Sequence, residues 1–256
     1  MRSHHPHRTL AAVFPHPDDE SFATGGLLAA SALLGARVVV ITATRGEGSR
    51  DALGNAHTPE ELAAIRGREL DEACEALGAE APIQLGFPDG SLASAKDLDD
   101  MLIATLRTVD PDVVVTFGPD GAYGHQDHVH LTERVHNAFD ALPGVEHRRL
   151  LHTAFPTDHF RKFHVRMLTH APDSTVEIAA LGVARELVNW ILPLTHVHRR
   201  KRAAIQAHAS QLGRREVEDF LGAGAMRPLL EEEWYIVAGG QSFPGATASS
   251  AFEGLP

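Results

Sequence analysis

A single cysteine, Cys74, stands in the whole chain, so an internal disulfide framework is excluded. Its setting in LDEACEALG, where Leu70, Cys74 and Leu77 share one helical face, assigns it to packing and not to nucleophilic chemistry. Positive charge is also scarce. There are 23 Lys and Arg against 34 Asp and Glu, a formal charge of −11 with neutral histidines. That balance disfavours a nucleic acid or an anionic membrane as the main partner and favours a small molecule. No apolar run approaches the roughly 18 residues of a spanning helix, and MRSHHPHRTLAAVFPHPDDE lacks the apolar stretch of a signal peptide. A cytoplasmic protein without membrane insertion is the expectation, with no sign of its oligomeric state. Repeats and low-complexity segments are missing too, apart from the small-residue run GATASSAFEG.

What is present suffices for a full core: 256 residues, 43% of them hydrophobic. One domain over 8–240 is expected, with a core at 10–140, a C-terminal elaboration at 145–240 and a loose tail at 241–256. Within the core, β-rich runs alternate with helical patterns. LAAVF at 10–14, RVVVITA at 37–43, IQLGF at 83–87 and DVVVTFG at 112–118 read as strands. Helices are expected near 21–34, at 59–77 behind the capping sequence TPEE, and at 97–110, where Pro111 ends the pattern. This is an α/β chain with a mostly parallel sheet flanked by helices. Right-handed crossovers then favour the order 3-2-1-4, in which the winding reverses between strands 1 and 4.

Ligands bind at such a reversal, beyond the carboxyl ends of the strands. The two densest polar clusters fall there: PHPDDE at 15–20 after strand 1 and GPDGAYGHQDHVH at 118–130 after strand 4. His16 and Asp19 are three residues apart at one strand-to-helix junction; His125 and His128 repeat the spacing at the other. Imidazole and carboxylate suit a borderline divalent cation, and a catalytic zinc site takes three protein ligands. His16, Asp19 and one of His125 or His128 fill that set; spacing does not decide between the two histidines. Asp18, beside the ligands, is placed to take a proton from water. His-Pro-Asp-Asp alone also reads as a turn with an Asp N-cap, and it is the pairing of the clusters that favours the metal. His130 and His136 read as ordinary helix-face residues, and His4, His5 and His7 as a solvated tail.

These residues resemble the LmbE-like, PIG-L-type zinc-dependent de-N-acetylases, through PHPDDE, Arg66-x-x-Glu69 running into ACEALG, LGFPDG at 85–90, YGHQDH at 123–128 and KRAAIQAHASQ at 201–211. The likeness runs from about residue 10 to 235 and is loose over 145–195. It implies a Rossmann-like fold with a C-terminal elaboration and a metal hydrolase that removes an N-acetyl group from an N-acetylglucosamine-type conjugate. By the same resemblance His16, Asp19 and His128 bind the metal and Asp18 is the general base. His125 stabilises the oxyanion or protonates the leaving amine, Asp127 orients a histidine, and Tyr123 polarises the carbonyl. Arg66 and Asp89 match substrate positions, and Glu20 stands as a supporting carboxylate. One Zn2+ per chain is implied, although an all-His and Asp set also accepts Fe2+ or Mn2+. The rivals are a non-catalytic sugar-binding protein and a metal phosphoesterase. The first would lack a ligand or the base, and the second would add cations or a second metal set.

Overall fold

The computed structural model describes residues 7–170, 177–222, 224–245 and 248–256. Strand β1 (Thr9–Phe14) leads into α1 (Asp19–Leu33), β2 (Arg37–Thr44), α2 (Pro59–Leu77), β3 (Ile83–Phe87), α3 (Leu98–Val109) and β4 (Val113–Thr116). A kinked turn, α4 (Gly121–Gly124), then precedes α5 (Gln126–Asp140) and β5 (Arg149–Thr153). After α6 (Thr157–His170) come β6 (Trp190–Pro193), α7 (His198–Ala207), α8 (Ala209–Leu212), α9 (Arg227–Glu231) and β7 (Glu232–Gly240).

The seven strands form one sheet in the order β3-β2-β1-β4-β5-β7-β6, so the expected 3-2-1-4 core is present. β1, β2, β3, β4 and β5 pair in parallel, while β7 and β6 are antiparallel additions at the far edge. β1 and β4 consist of buried, mostly branched or small apolar residues because helices cover both faces. One apolar layer unites Leu27, Leu28, Leu70, Cys74 and Ile205 from α1, α2 and α7, so Cys74 packs as expected. The other joins Leu102 and Leu106 of α3 to Leu131 and Val135 of α5.

Local chemistry fixes the ends. Thr58 accepts a hydrogen bond from the Glu61 backbone N–H at 3.2 Å, and the Glu61 carboxylate accepts from the Thr58 N–H at 2.8 Å, completing the capping box that TPEE predicts. Glycine is required within α1, where a Cβ on Gly26 would lie 2.2 Å from Leu194 Cδ2. β4 stops two residues short of the predicted run, since Phe117 and Gly118 leave the ladder to build the loop above the sheet.

The tail at 241–256 is not loose in its described part. Arg149, fully buried, donates to the carbonyls of Gln241 at 2.8 Å, Ser242 at 3.0 Å, Ala251 at 2.5 Å and Glu253 at 3.0 Å, and its guanidinium lies over the Phe243 ring. Phe252 is only 2% exposed. A small-residue run reads as solvated until a buried guanidinium collects its carbonyls. Of the N-terminal histidines, His4 and His5 lie outside the described residues, and His7 is exposed. Among the described residues no helix is long and apolar enough to cross a membrane.

Candidate metal centre

The sheet brings the two loops together. At the end of β1, the Asp19 carboxylate accepts from the His16 backbone N–H at 3.1 Å and lies 3.2 Å from His16 Nδ1. Beyond β4, α5 begins just after its cap His125 and turns His128 inward, so that His128 Nε2 lies 3.4 Å from Asp19 Oδ2. Donor atoms of His16, Asp19 and His128 all fall within 4.8 Å of one another. Of the two histidines that spacing left open, His128 is the one that faces Asp19. His125 instead caps α5, its Nδ1 accepting from the Asp127 N–H at 3.2 Å. A neutral ring that accepts at Nδ1 carries its proton on Nε2. His125 thus offers an N–H at the edge of the cavity.

These residues fit a divalent cation. His128 is fully buried, and Phe117 stacks on its ring with centroids 4.3 Å apart. Its Nδ1 lies 3.1 Å from the Gly121 carbonyl, which holds the proton there and leaves the Nε2 lone pair bare; no hydrogen-bond partner reaches Nε2. Burial holds this imidazole down at about 3, so it is neutral at pH 7 and free to ligate. Around His16 the charge deficit is explicit. Burial opposes its protonation, but the carboxylates of Asp127, Asp19 and Asp89 outweigh that and raise its pKa well above the ordinary value. Its Nε2 lies 3.0 Å from Asp89 Oδ1 and 3.5 Å from Asp127 Oδ2, without hydrogen-bond alignment to either. Three carboxylates around one imidazole call for positive charge.

Asp18 occupies a backbone conformation that L-residues rarely adopt, φ 101° and ψ −35°. Its backbone N–H donates to Glu20 Oε2 at 3.0 Å. Glu20 in turn accepts from Ser21 Oγ at 2.5 Å and meets His208 Nε2 at 2.9 Å, with both Glu20 and His208 fully buried. Burial pushes the Asp18 carboxyl up to about 7, against the pull of the Arg66 guanidinium 3.3 Å away. Glu20 is therefore a brace for the Asp18 turn. His208 completes that brace, and sequence alone did not single it out; the one signal was its place in KRAAIQAHASQ. Glu69 serves a parallel purpose, accepting from Ser210 N at 2.6 Å and Ser210 Oγ at 2.7 Å and so fastening the same segment to α2.

The remaining candidates fall on the walls. Arg66 is 3% exposed and donates to the Gly46 carbonyl and Ser49 Oγ, each at 2.8 Å, and to the Pro17 carbonyl. Gly46 must be glycine, because its φ is 67° and a Cβ would sit 2.5 Å from the Arg66 Cζ. Asp89 accepts from Gly48 N at 3.0 Å. Asp127 accepts from Gly90 N at 2.7 Å and Leu92 N at 3.1 Å, and the histidine it approaches is His16. Tyr123 lies edge-on to His128, with centroids 5.0 Å apart. His16, Asp18, Asp19, Arg66, Asp89, Tyr123 and His125 line one polar cavity of about 410 Å3, with Gly48, Ser49, Gly90 and Gln211 completing it. Ser49 and Gln211 are wall residues that the sequence did not flag. His130 and His136 lie further along α5, outside the cavity lining.

The sequence model of the family described as PIG-L, GlcNAc-PI de-N-acetylase, matches residues 11–139. A 1D-myo-inositol 2-acetamido-2-deoxy-alpha-D-glucopyranoside deacetylase of Nakamurella multipartita is 32% identical, over 92% of this chain and 90% of that protein. Among solved structures, N,N'-diacetylchitobiose deacetylase from Pyrococcus horikoshii aligns with a TM-score of 0.61 at 22% identity, covering 87% of this chain and 75% of that one. GalB, a 4-carboxy-2-hydroxymuconate hydratase from Pseudomonas putida, aligns with a TM-score of 0.68 at 19% identity, covering 93% and 99%. A hydratase and a deacetylase on one scaffold show that the fold alone does not name the chemistry.

Proposed function

The chain belongs to the PIG-L, GlcNAc-PI de-N-acetylase family, and from that premise we propose that it hydrolyses the acetamide of an N-acetylglucosamine conjugate, releasing acetate and a primary amine. The observation that carries this reading is the neutral, buried His128 with its bare Nε2 turned toward Asp19, beside Asp18. His16, Asp19 and His128 would hold one zinc ion. A bound divalent cation supplies Lewis acidity that brings the pKa of water toward ~7 and polarises an amide carbonyl.

This chain's own groups do the rest. Asp18 accepts the proton of the attacking water, and a carboxyl poised near neutrality suits that task. The Nε2–H of His125 donates a hydrogen bond to the carbonyl oxygen as charge develops there, and the proton taken up by Asp18 passes to the nitrogen as the C–N bond breaks. Tyr123 helps to polarise the carbonyl from the same cavity, and Asp127 orients His16. Arg66 holds the Pro17 carbonyl and so fixes the Asp18 turn, while its edge and the Asp89 carboxylate border the space for the sugar hydroxyls. The phosphoesterase reading is disfavoured because Arg66, the guanidinium on the cavity wall, directs both of its Nη groups to protein atoms, and the second His and Asp group, His16, Asp89 and Asp127, shares His16 with the first.

The Nakamurella relative is named as a deacetylase of an N-acetylglucosaminyl inositol, and the same substrate class is proposed here. The test is amine release by zinc-loaded protein from N-acetylglucosaminyl inositol, free N-acetylglucosamine and simple phosphate esters. Amine from the inositol conjugate, with free N-acetylglucosamine slower, is expected. Cleavage of phosphate esters without amine release would overturn the reading.

A further inference from the structure

Two cavities open onto the same three residues, Asp18, Asp19 and Tyr123. One is the polar space already described. The other, about 110 Å3, is walled by apolar side chains, among them Phe22, Phe117, Phe155, Phe163, Met167 and Leu229. Its floor is a packed aromatic layer: Phe155 and Phe163 stack with centroids 5.3 Å apart, and Phe117 stacks on His128 at 4.3 Å.

An amide poised for attack sends its nitrogen and carbon substituents along diverging directions from the trigonal carbonyl carbon. On the amidohydrolase reading above, on which this step rests, that carbon sits at the junction beside Asp18 and Asp19. The nitrogen side carries a sugar rich in hydroxyls, and the cavity bordered by Ser49, Arg66, Asp89 and Gln211 matches it. The carbon side then faces the aromatic cavity. An apolar cavity of about 150 Å3 accepts benzene, a ring of six carbons, so about 110 Å3 corresponds to roughly four carbons. The methyl of an acetyl group leaves most of that space unused. We infer that the aromatic cavity is an acyl pocket and that the preferred leaving acid carries a linear chain of about four carbons beyond its carbonyl, not acetate alone.

The reaction balance is unchanged: water adds its hydroxyl to the acyl carbon, the C–N bond breaks, and the amine gains a proton. Only the acid released is longer. Each methylene taken out of water contributes up to about a fourfold gain. Lengthening acetyl to pentanoyl should therefore raise kcat/KM on the order of tenfold or more.

The experiment is a chain-length series on zinc-loaded wild-type protein: acetyl, butanoyl, pentanoyl, hexanoyl and decanoyl amides of one glucosaminyl inositol, scored by primary amine. The expected profile rises to pentanoyl and has fallen by decanoyl. A profile that declines steadily from acetyl would overturn the inference while leaving the deacetylase reading intact. Amine from none of the amides would overturn the amidohydrolase reading and the acyl pocket with it. An apolar aglycone is the alternative occupant, so the octyl glycoside of N-acetylglucosamine is run alongside. If the octyl group raises the rate and acyl lengthening does not, the cavity belongs to the aglycone and the inference fails. Met167→Trp, which intrudes from α6, should lower the pentanoyl-to-acetyl ratio of kcat/KM several-fold, and an unchanged ratio in folded, zinc-loaded variant would contradict the assignment. The wild-type series decides the matter even if that variant does not fold.

Discussion

Two of the buried ionic clusters among the described residues, one around Glu233 and one around Asp19, differ in one respect. Around Glu233 every valence is closed. Lys201 Nζ donates to its Oε1 at 2.7 Å, the backbone N–H groups of Gly26 and Leu27 donate to Oε1 and Oε2 at 2.7 Å, and Tyr235 OH donates to Oε2 at 2.7 Å. Around Asp19, by contrast, His128 Nε2 and His16 Nε2 are buried without a hydrogen-bond partner. A buried polar atom left open costs free energy that a bound ligand can offset, and here two ligand-type nitrogens stand open around one carboxylate. The closed cluster ties α1 to β7 and α7; the open one marks the site. Both touch α1, so one helix carries the fold's fastening and the reaction's ligand.

The strongest way to break this comparison is to remove a donor from the open cluster. His128→Ala should lose both bound zinc and amine release nearly completely, whereas His130→Ala should keep about one zinc per chain, read by elemental analysis. Full zinc in the His128→Ala protein would move the ligand role to another residue. In the closed cluster the damage should be structural. Glu233→Ala leaves Lys201 buried and unpaired, and should cost about 3–5 kcal/mol in denaturant unfolding. Replacing both members with apolar residues of similar volume should recover much of that loss. A smaller effect is expected at His208, which acts on the reaction through Glu20 and the Asp18 backbone. His208→Ala should lower kcat by ~10-fold to 100-fold with zinc content and KM nearly unchanged, and His208→Gln, which keeps an N–H toward Glu20, should recover part of it. Equal losses in kcat and thermal stability from both variants would make His208 purely structural.

Much of this was legible in the chain, for physical reasons that also explain the gaps. The 3-2-1-4 core follows from branched apolar runs separated by helical periods, and that order alone places PHPDDE beside YGHQDH. The antiparallel β7 and β6 escaped, because strands of mixed burial in a stretch of irregular turns carry little period-two signal. His16 and Asp19 announce themselves by spacing. His125 and His128 do not separate that way, since the difference between cap and ligand lies in where α5 begins. His208 meets Glu20 across 188 residues, and Arg149 gathers tail carbonyls about a hundred residues on. Long-range pairings of that kind leave no local pattern. The aromatic cavity likewise assembles phenylalanines scattered from Phe22 to Phe220.

The central claim is that one metal set and one separate base act together, and Asp18→Asn tests it most directly. The amide keeps the shape of the side chain but cannot take a proton. In zinc-loaded protein, with metal content and amine release from N-acetylglucosaminyl inositol measured on the same preparation, about one zinc per chain should remain while kcat falls by ~100-fold to 10,000-fold. Turnover near wild type at full zinc occupancy would contradict the account.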